Sequence, residues 1–218
     1  RKNSATHLQL LKEKIQHITS GTIKVYTESR LGNTEDELED YCKYIDPFAV
    51  VMGSKGLSNL DRVLFGSTTL TVIRHLNWPV ITVPPGKEYH SIKKIGFACD
   101  FKHVVETTRT DAIKEIVQLF QTELHVLNVD YKDKHFTPDT PHESVLLHTM
   151  LEDLKPVYHF IDDADIGNGI NRFAEQNNLD LIITIPKKHT LLESIFHQSS
   201  SKKIIFESHI PIMCIRET

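Results

Sequence analysis

The sequence predicts an α/β protein in which parallel strands buried on both faces alternate with helices. Short unbroken apolar runs such as Phe48-Ala49-Val50-Val51 and Ile95-Gly96-Phe97-Ala98-Cys99 read as strands covered on both sides. Segments with apolar residues at helical spacing separate them, which implies parallel pairing with helices on the sheet faces. The pattern also occurs twice. Pro79-Val80-Ile81-Thr82-Val83 returns as Pro211-Ile212-Met213-Cys214-Ile215, an offset of 132 residues (211 − 79). At that offset Ser67 meets Ser199, Leu60 meets Leu192 and Val50 meets Ile182, with no gap.

Taken in order, Leu8, Leu11, Ile15 and Ile18 predict an amphipathic helix over 5–19. Thr22 to Thr27 reads as a strand, and Gly32-Asn33 as a turn. Thr34 with Glu37 forms a capping box, so a helix is expected from about Glu35 to Ile45. It ends at Asp46-Pro47, because the residue before proline avoids helical angles. The Phe48–Met52 strand follows, then a glycine-bearing loop, a helix from Thr69 to His75, and the Pro79–Val83 strand. Pro84-Pro85-Gly86 opens a linker to about Ser91. The second half is predicted as a strand ending in Asp100, a helix through Ala112–Phe120, and a strand at Leu124–Val129. A polar loop at 131–141, a helix carrying Val145, Leu146 and Met150, and a strand at Val157–Ile161 come next. A helix at Asn168–Gln176, a strand at Leu181–Ile185, a helix at Ser199–Ser208 and the Ile210–Ile215 strand complete it.

Composition narrows the function. The 218 residues suggest one large domain or two small ones, with ordinary apolar and charged content. A net charge of −4 disfavours nonspecific binding to nucleic acid or acidic membranes, which want a basic face. No apolar run approaches the length of a transmembrane helix. Cys42, Cys99 and Cys214 show no paired spacing and read as reduced thiols of a cytoplasmic protein. The 13 histidines are scattered without metal-ligand spacing, so no metal is expected. Gly167-Asn168-Gly169 begins a dinucleotide fingerprint but fails at Arg172, and these glycines read as a turn before a helix. There is no P-loop, nucleophile elbow or catalytic dyad, so no catalytic residue is assigned.

The informative stretch is Met52 to Thr69. Gly53 and Gly56 follow the buried strand at once, and Gly66-Ser67-Thr68-Thr69 opens the next helix. Glycines let a backbone approach a ligand closely, since no Cβ intervenes. Ser67 and Thr68 sit where a helix begins, able to cap it or to offer donors to an anion at the positive end of the helix dipole. Met52 and Ser54 would line the loop through their backbone. The bland alternative is a βα loop whose glycines serve turns only. Leu57, Leu60, Val63 and Leu64 read as packing beneath the loop, and Lys55 as a solvated lysine.

The pattern Gly53-x2-Gly56-x9-Gly66-Ser67, flanked by Val50-Val51-Met52 and Pro79-Val80-Ile81-Thr82-Val83, resembles the nucleotide loop of the universal stress protein family. The resemblance implies tandem domains at 1–86 and 87–218 with parallel five-stranded sheets of the adenine nucleotide alpha hydrolase-like type, strand order 3-2-1-4-5. The first would lack its early strands, so about 40 or more residues before Arg1, or strands borrowed from another chain, are expected to complete it. It further implies ATP bound by Met52, Gly53, Ser54, Gly56, Gly66, Ser67 and Thr68, as a regulatory module in stress response. Asp100 holds the place of a family aspartate near the adenine, although local bonds in a βα loop account for it equally. The partners implied are an adenine nucleotide, an intramolecular pseudo-dimer packed through Val80–Val83 and Ile212–Ile215, and a further copy in a homo-oligomer. The alternatives are a dimerising scaffold without nucleotide, or an ATP-cleaving enzyme of the same superfamily. In the second half Gly53, Gly56 and Gly66 become Ile185, Lys188 and Gln198, and Pro186 removes an amide. Nucleotide is therefore expected in the first half only.

Overall fold

The computed structural model describes residues 2–54, 67–89, 91–131, 137–186, 204 and 207–217. The chain forms two compact units, residues 1–45 and 46–218. In the smaller unit, α1 (Lys2–Ile18) and α2 (Thr34–Ile45) are the regular elements among the described residues. Helix α1 ends because Ser20 and Gly21 turn left-handed, at φ 50° and 73°, and the Gly21 N–H donates to the Gln16 carbonyl.

Two expectations fail in this unit. Thr22–Thr27 is not a strand, and Ile23 and Tyr26 are exposed. A strand needs a neighbour for its backbone groups, and every strand of the described sheet lies within residues 50–214. The cap of α2 lies one residue earlier than predicted. Asn33 Oδ1 accepts from the Glu35 N–H at 3.2 Å, Thr34 is already helical, and the Glu37 carboxylate reaches Arg30 rather than turning back to the cap.

Among the described residues the larger unit is built on one seven-stranded sheet. Its strands are β1 (Val50–Gly53), β2 (Val80–Val83), β3 (Lys94–Ala98), β4 (Glu123–Asp130), β5 (Val157–Asp162), β6 (Leu181–Thr184) and β7 (Ile212–Cys214). Across the sheet they run β1-β2-β7-β6-β3-β4-β5. Every pair is parallel except β2 with β7. Numbered within the second half, β5-β4-β3-β6-β7 is the order 3-2-1-4-5 that the resemblance implied. Strands β1 and β2 correspond to the fourth and fifth of that order. Among the described residues no strand pairs with the outer edge of β1.

The strand at 80–83 meets that at 212–214 as expected, and their register carries more information than their contact. Val80 faces Cys214, Ile81 faces Met213 and Thr82 faces Ile212. Ile81 and Met213 are counterparts at the 132-residue offset, so the pairing is symmetric about them. Thr82 Oγ1 donates across the junction to the Ile212 carbonyl at 3.3 Å. Arg216 crosses it too, donating to the His75 carbonyl at 3.2 Å and to Asn77. This places a cation at the C-terminus of α3 (Ser67–His75), where the helix dipole favours one.

Among the described residues the second half also carries helices α4 (Val104–Thr107), α5 (Thr110–Phe120), α6 (Thr140–Leu151) and α7 (Ile166–Gln176), with a short 3₁₀ turn at Glu152–Leu154; most of the helix expected at Ser199–Ser208 lies outside the described residues. The main core gathers Ile95, Phe97, Ile113, Ile116, Val126, Leu147, Ile183 and Met213, all buried. Gly167 and Gly169 lie inside the first turn of α7, not in a turn before it. Asp165 caps this helix, its Oδ1 accepting from the Asn168 N–H at 2.9 Å. A Cβ at Gly169 would meet Val129 and Asp163 at 3.0 Å, so glycine lets α7 lie close to β4. Among the described residues no helix is long and apolar enough to cross a membrane.

Candidate functional site

The carboxyl end of β1 and the start of α3 hold most of the predicted nucleotide loop that is described. Parallel pairing sends the N–H of Val50 to the Pro79 carbonyl at 2.8 Å and that of Ser54 to the Val83 carbonyl at 2.9 Å. Strand alternation then turns the N–H groups of Val51 and Gly53 toward the outer edge. Met52 is half-buried and Ser54 is buried. Helix α3 begins at Ser67, two residues earlier than predicted, and Thr68 is exposed on its first turn. Gly56 and Gly66 lie outside the described residues, as do Lys55, Leu57, Leu60, Val63 and Leu64. The second-half counterparts Lys188, Leu192, Ile195, Phe196, Gln198 and Ser199 also lie outside them.

Thr69 was not singled out from the sequence as a site residue, yet it ties the two ends of the loop together. Its hydroxyl donates to the Gly53 carbonyl at 3.1 Å, and the residue is 5% exposed. This bond fixes the start of α3 against the end of β1. The signal was present in the Ser67-Thr68-Thr69 run, but helix position alone does not say which hydroxyl turns inward. Thr69→Val keeps the shape and removes the donor, leaving the Gly53 carbonyl without that hydroxyl. It is expected to cost about 1–3 kcal/mol in chemical denaturation; a loss within experimental error would show that the carbonyl is solvated instead.

Asp100 is not brought to this loop. It follows β3, four strands from β1 across the sheet. At a strand spacing of about 4.8 Å that is roughly 19 Å. The antiparallel junction of β2 with β7 also points the carboxyl ends of β1 and β3 to opposite ends of the sheet. The Asp100 carboxylate accepts locally from the Lys102 N–H at 3.1 Å, which is the local bonding weighed against the family role.

The crevice that Asp100 does border is that of the second half. In open α/β sheets ligands sit outside the carboxyl ends of strands where the strand order reverses. Here that is between β3 and β6, flanked by Ala98–Asp100 and by Thr184, Ile185 and Pro186. Asn128 Nδ2 donates to the Cys99 carbonyl at 3.0 Å, and Cys99 Sγ accepts from the Phe101 N–H at 3.4 Å. Phe101 is buried with a left-handed backbone, and its ring packs on Tyr158 and Phe160 at centroid distances of 6.5 and 5.9 Å. Burial pushes the Tyr158 hydroxyl up to about 12, with the Cys99 thiol adding to the effect. Its oxygen has no hydrogen-bond partner among the described residues. Among the described residues no group of three or more His, Cys, Asp or Glu side chains converges to hold a metal ion.

A mostly parallel open sheet with this strand order is the adenine nucleotide alpha hydrolase-like fold. The comparisons with known proteins agree. The model of the universal stress protein family matches residues 2–84. Universal stress protein G of Shigella flexneri is 32% identical over 73 residues, 34% of this chain and 51% of the relative. The chain therefore spans about half the length of the curated relatives it matches. A universal stress protein from Archaeoglobus fulgidus superposes with a TM-score of 0.69 at 20% identity, covering 98% of this chain and 77% of that one. A putative universal stress protein from Pseudomonas aeruginosa gives 0.67 at 12% identity, covering 97% and 78%. At those identities the two structures show the fold alone. Through residues 2–84 the chain is similar to the universal stress protein family.

Proposed function

We propose that the chain binds an adenine nucleotide, ATP, at the loop from Met52 to Thr68, and acts as a regulatory module in stress response rather than as an enzyme. The observation that carries this reading is the contrast between the two βα junctions. Strand β1 runs into Gly53 and Ser54, with Thr69 holding the first turn of α3 beside them. Strand β6 runs into Ile185 and Pro186, which bring a β-branched side chain and remove an amide donor. Phosphate oxygens need amide donors within about 3 Å, and glycines permit that approach over several residues. The sequence has glycine at 53, 56 and 66, with Ser67 and Thr68 at a helix start. Asp100 belongs to the other crevice and is left out of the phosphate site.

On this reading the chain is a tandem of domains 1–86 and 87–218 forming an intramolecular pseudo-dimer. The symmetric β2–β7 register about Ile81 and Met213 supports it. That register also favours the second reading, a dimerising scaffold without nucleotide. We place the protein in the cytoplasm because Cys42, Cys99 and Cys214 are all free thiols.

The test is calorimetric titration of ATP into the full chain and into the Gly66→Val and Gln198→Val variants. One site is expected, lost with the first change and untouched by the second. Charge-assisted bonds contribute roughly 1.5–3 kcal/mol each, so losing two weakens affinity by about a hundredfold or more. Binding that survives Gly66→Val, or that disappears with Gln198→Val, assigns the site to the other half. A full chain that ignores ATP supports the scaffold, and steady ADP or diphosphate release overturns the non-catalytic reading.

A further inference from the structure

His125 on β4 and His159 on β5 stand side by side on the face of the sheet that carries α7. His125 Nδ1 and His159 Nε2 are 2.9 Å apart, and the rings stack with centroids 5.2 Å apart. Phe173 of α7 closes over His159 at 4.6 Å. The other nitrogen of His125, Nε2, is buried without a hydrogen-bond partner among the described residues and lies 3.6 Å from the Glu123 carboxylate.

We propose that the His125–His159 pair is an acid-sensitive latch holding β5 and α7 to the sheet, because the space between its two facing nitrogens takes one proton and not two. With one proton there, one imidazole donates and the other accepts. This holds whether the pair is neutral or carries a single charge, and Glu123 sits on the side of His125 that would welcome that charge. A second proton between the rings sets two N–H groups and two like charges face to face at hydrogen-bond distance. The bond is then lost and the strands repel.

The charged groups around the pair do not relieve this. On β3, Gly96 lies opposite His125 in register and offers no side chain, while Lys94 lies opposite Glu123 and is itself cationic. On α7, Arg172 and Glu175 flank Phe173. Arg172 pairs with Asp163 at 2.9 Å, and Glu175 lies 3.9 Å from His209, so both carboxylates already have partners away from the pair. Burial, and secondly the neighbouring His125, lower the His159 pKa below its ordinary value. A base lowered by folding adds stability above its unfolded value, and that stability is lost as pH falls through the folded value. The latch therefore opens on acidification, below the ordinary histidine range. Among the described residues β5 pairs with β4 alone and forms one edge of the sheet, so it can be released without breaking the pairing of any other strand.

The test is hydrogen exchange of the full chain at about pH 7 and about pH 5, corrected for the intrinsic pH dependence of exchange. Protection of Val157–Asp162 is expected to fall by about tenfold or more relative to Leu181–Thr184 on β6, a ratio equivalent to one pKa step. His159→Phe, which retains a ring for Phe173 and carries no proton, should abolish the relative change, and so should His125→Phe. If these variants do not fold, ring-nitrogen shifts of the wild-type histidines decide. Two coupled titrations are expected, with that of His159 below the ordinary value. Protection of β5 that tracks β6 at both pH values overturns the latch. A fall that persists in both variants, or two rings titrating independently near the ordinary value, also overturns it.

Discussion

Met213→Ala is expected to destabilise the larger unit by about 2–5 kcal/mol in denaturant unfolding, the range for emptying a well-packed core site. Met213 is fully buried and pairs with Ile81 on one side and Ile183 on the other. It therefore stands where the sheet changes from the β1–β2 pair to the five strands of the second half. The unit should unfold in one transition whether followed through Trp78, near the start of β2, or through far-UV signal dominated by the second half. A sheet joined by backbone bonds and a shared core gives neither part a separate melting point. Val51→Ala on β1 provides the control. Val51 is 64% exposed, and a change there should stay within about 0.5 kcal/mol. Two resolved transitions, or a loss below about 1 kcal/mol at Met213, would mean that the halves are merely in contact.

Most of the larger unit was legible because its signals are local. Parallel strands declare themselves as short apolar runs, and all seven predicted between residues 48 and 215 are present, although β1 is half-exposed rather than covered on both sides because no described strand or helix covers Val51. The family resemblance, with the duplication that supplies both copies, also anticipated the pairing of the last strands. What the chain hides is set by partners distant in sequence. Thr22–Thr27 has strand-like residues, but strand propensity without a neighbour leaves the backbone unpaired. Asn33 takes the cap from Thr34 because the helix begins one residue earlier, a choice between two equally good capping residues. The separation of Asp100 from the glycine loop follows from strand polarity across the β2–β7 junction, which no motif records. The facing histidines are 34 residues apart, and only the β4–β5 register places His159 beside Leu127 and one step from His125. The sequence treated them as scattered because histidine spacing was compared along helices, not across strands.

Phe101→Ala is expected to cost about 3–5 kcal/mol, the range for truncating a buried aromatic, and to leave ATP binding by the full chain unchanged. Phe101 is 1% exposed and packs with the core beside β3 and β5. It does so from a backbone φ of 50°, where a side chain beyond glycine costs about 1–2 kcal/mol. Burial of the ring outweighs that cost, which is why a phenylalanine rather than a glycine can occupy the turn after Asp100. The same balance makes an unusual order of variants. At an ordinary position glycine is less stable than alanine by about 0.5–1 kcal/mol through backbone entropy. Here alanine keeps the left-handed cost without the ring, so Phe101→Gly should be at least as stable as Phe101→Ala. Equilibrium unfolding of the three proteins checks both statements. A loss below about 1 kcal/mol in Phe101→Ala would mean that the ring contributes little to the core. Phe101→Gly clearly below Phe101→Ala would mean that the backbone there is not left-handed. ATP affinity altered by Phe101→Ala would place the nucleotide in the second-half crevice rather than at Gly53.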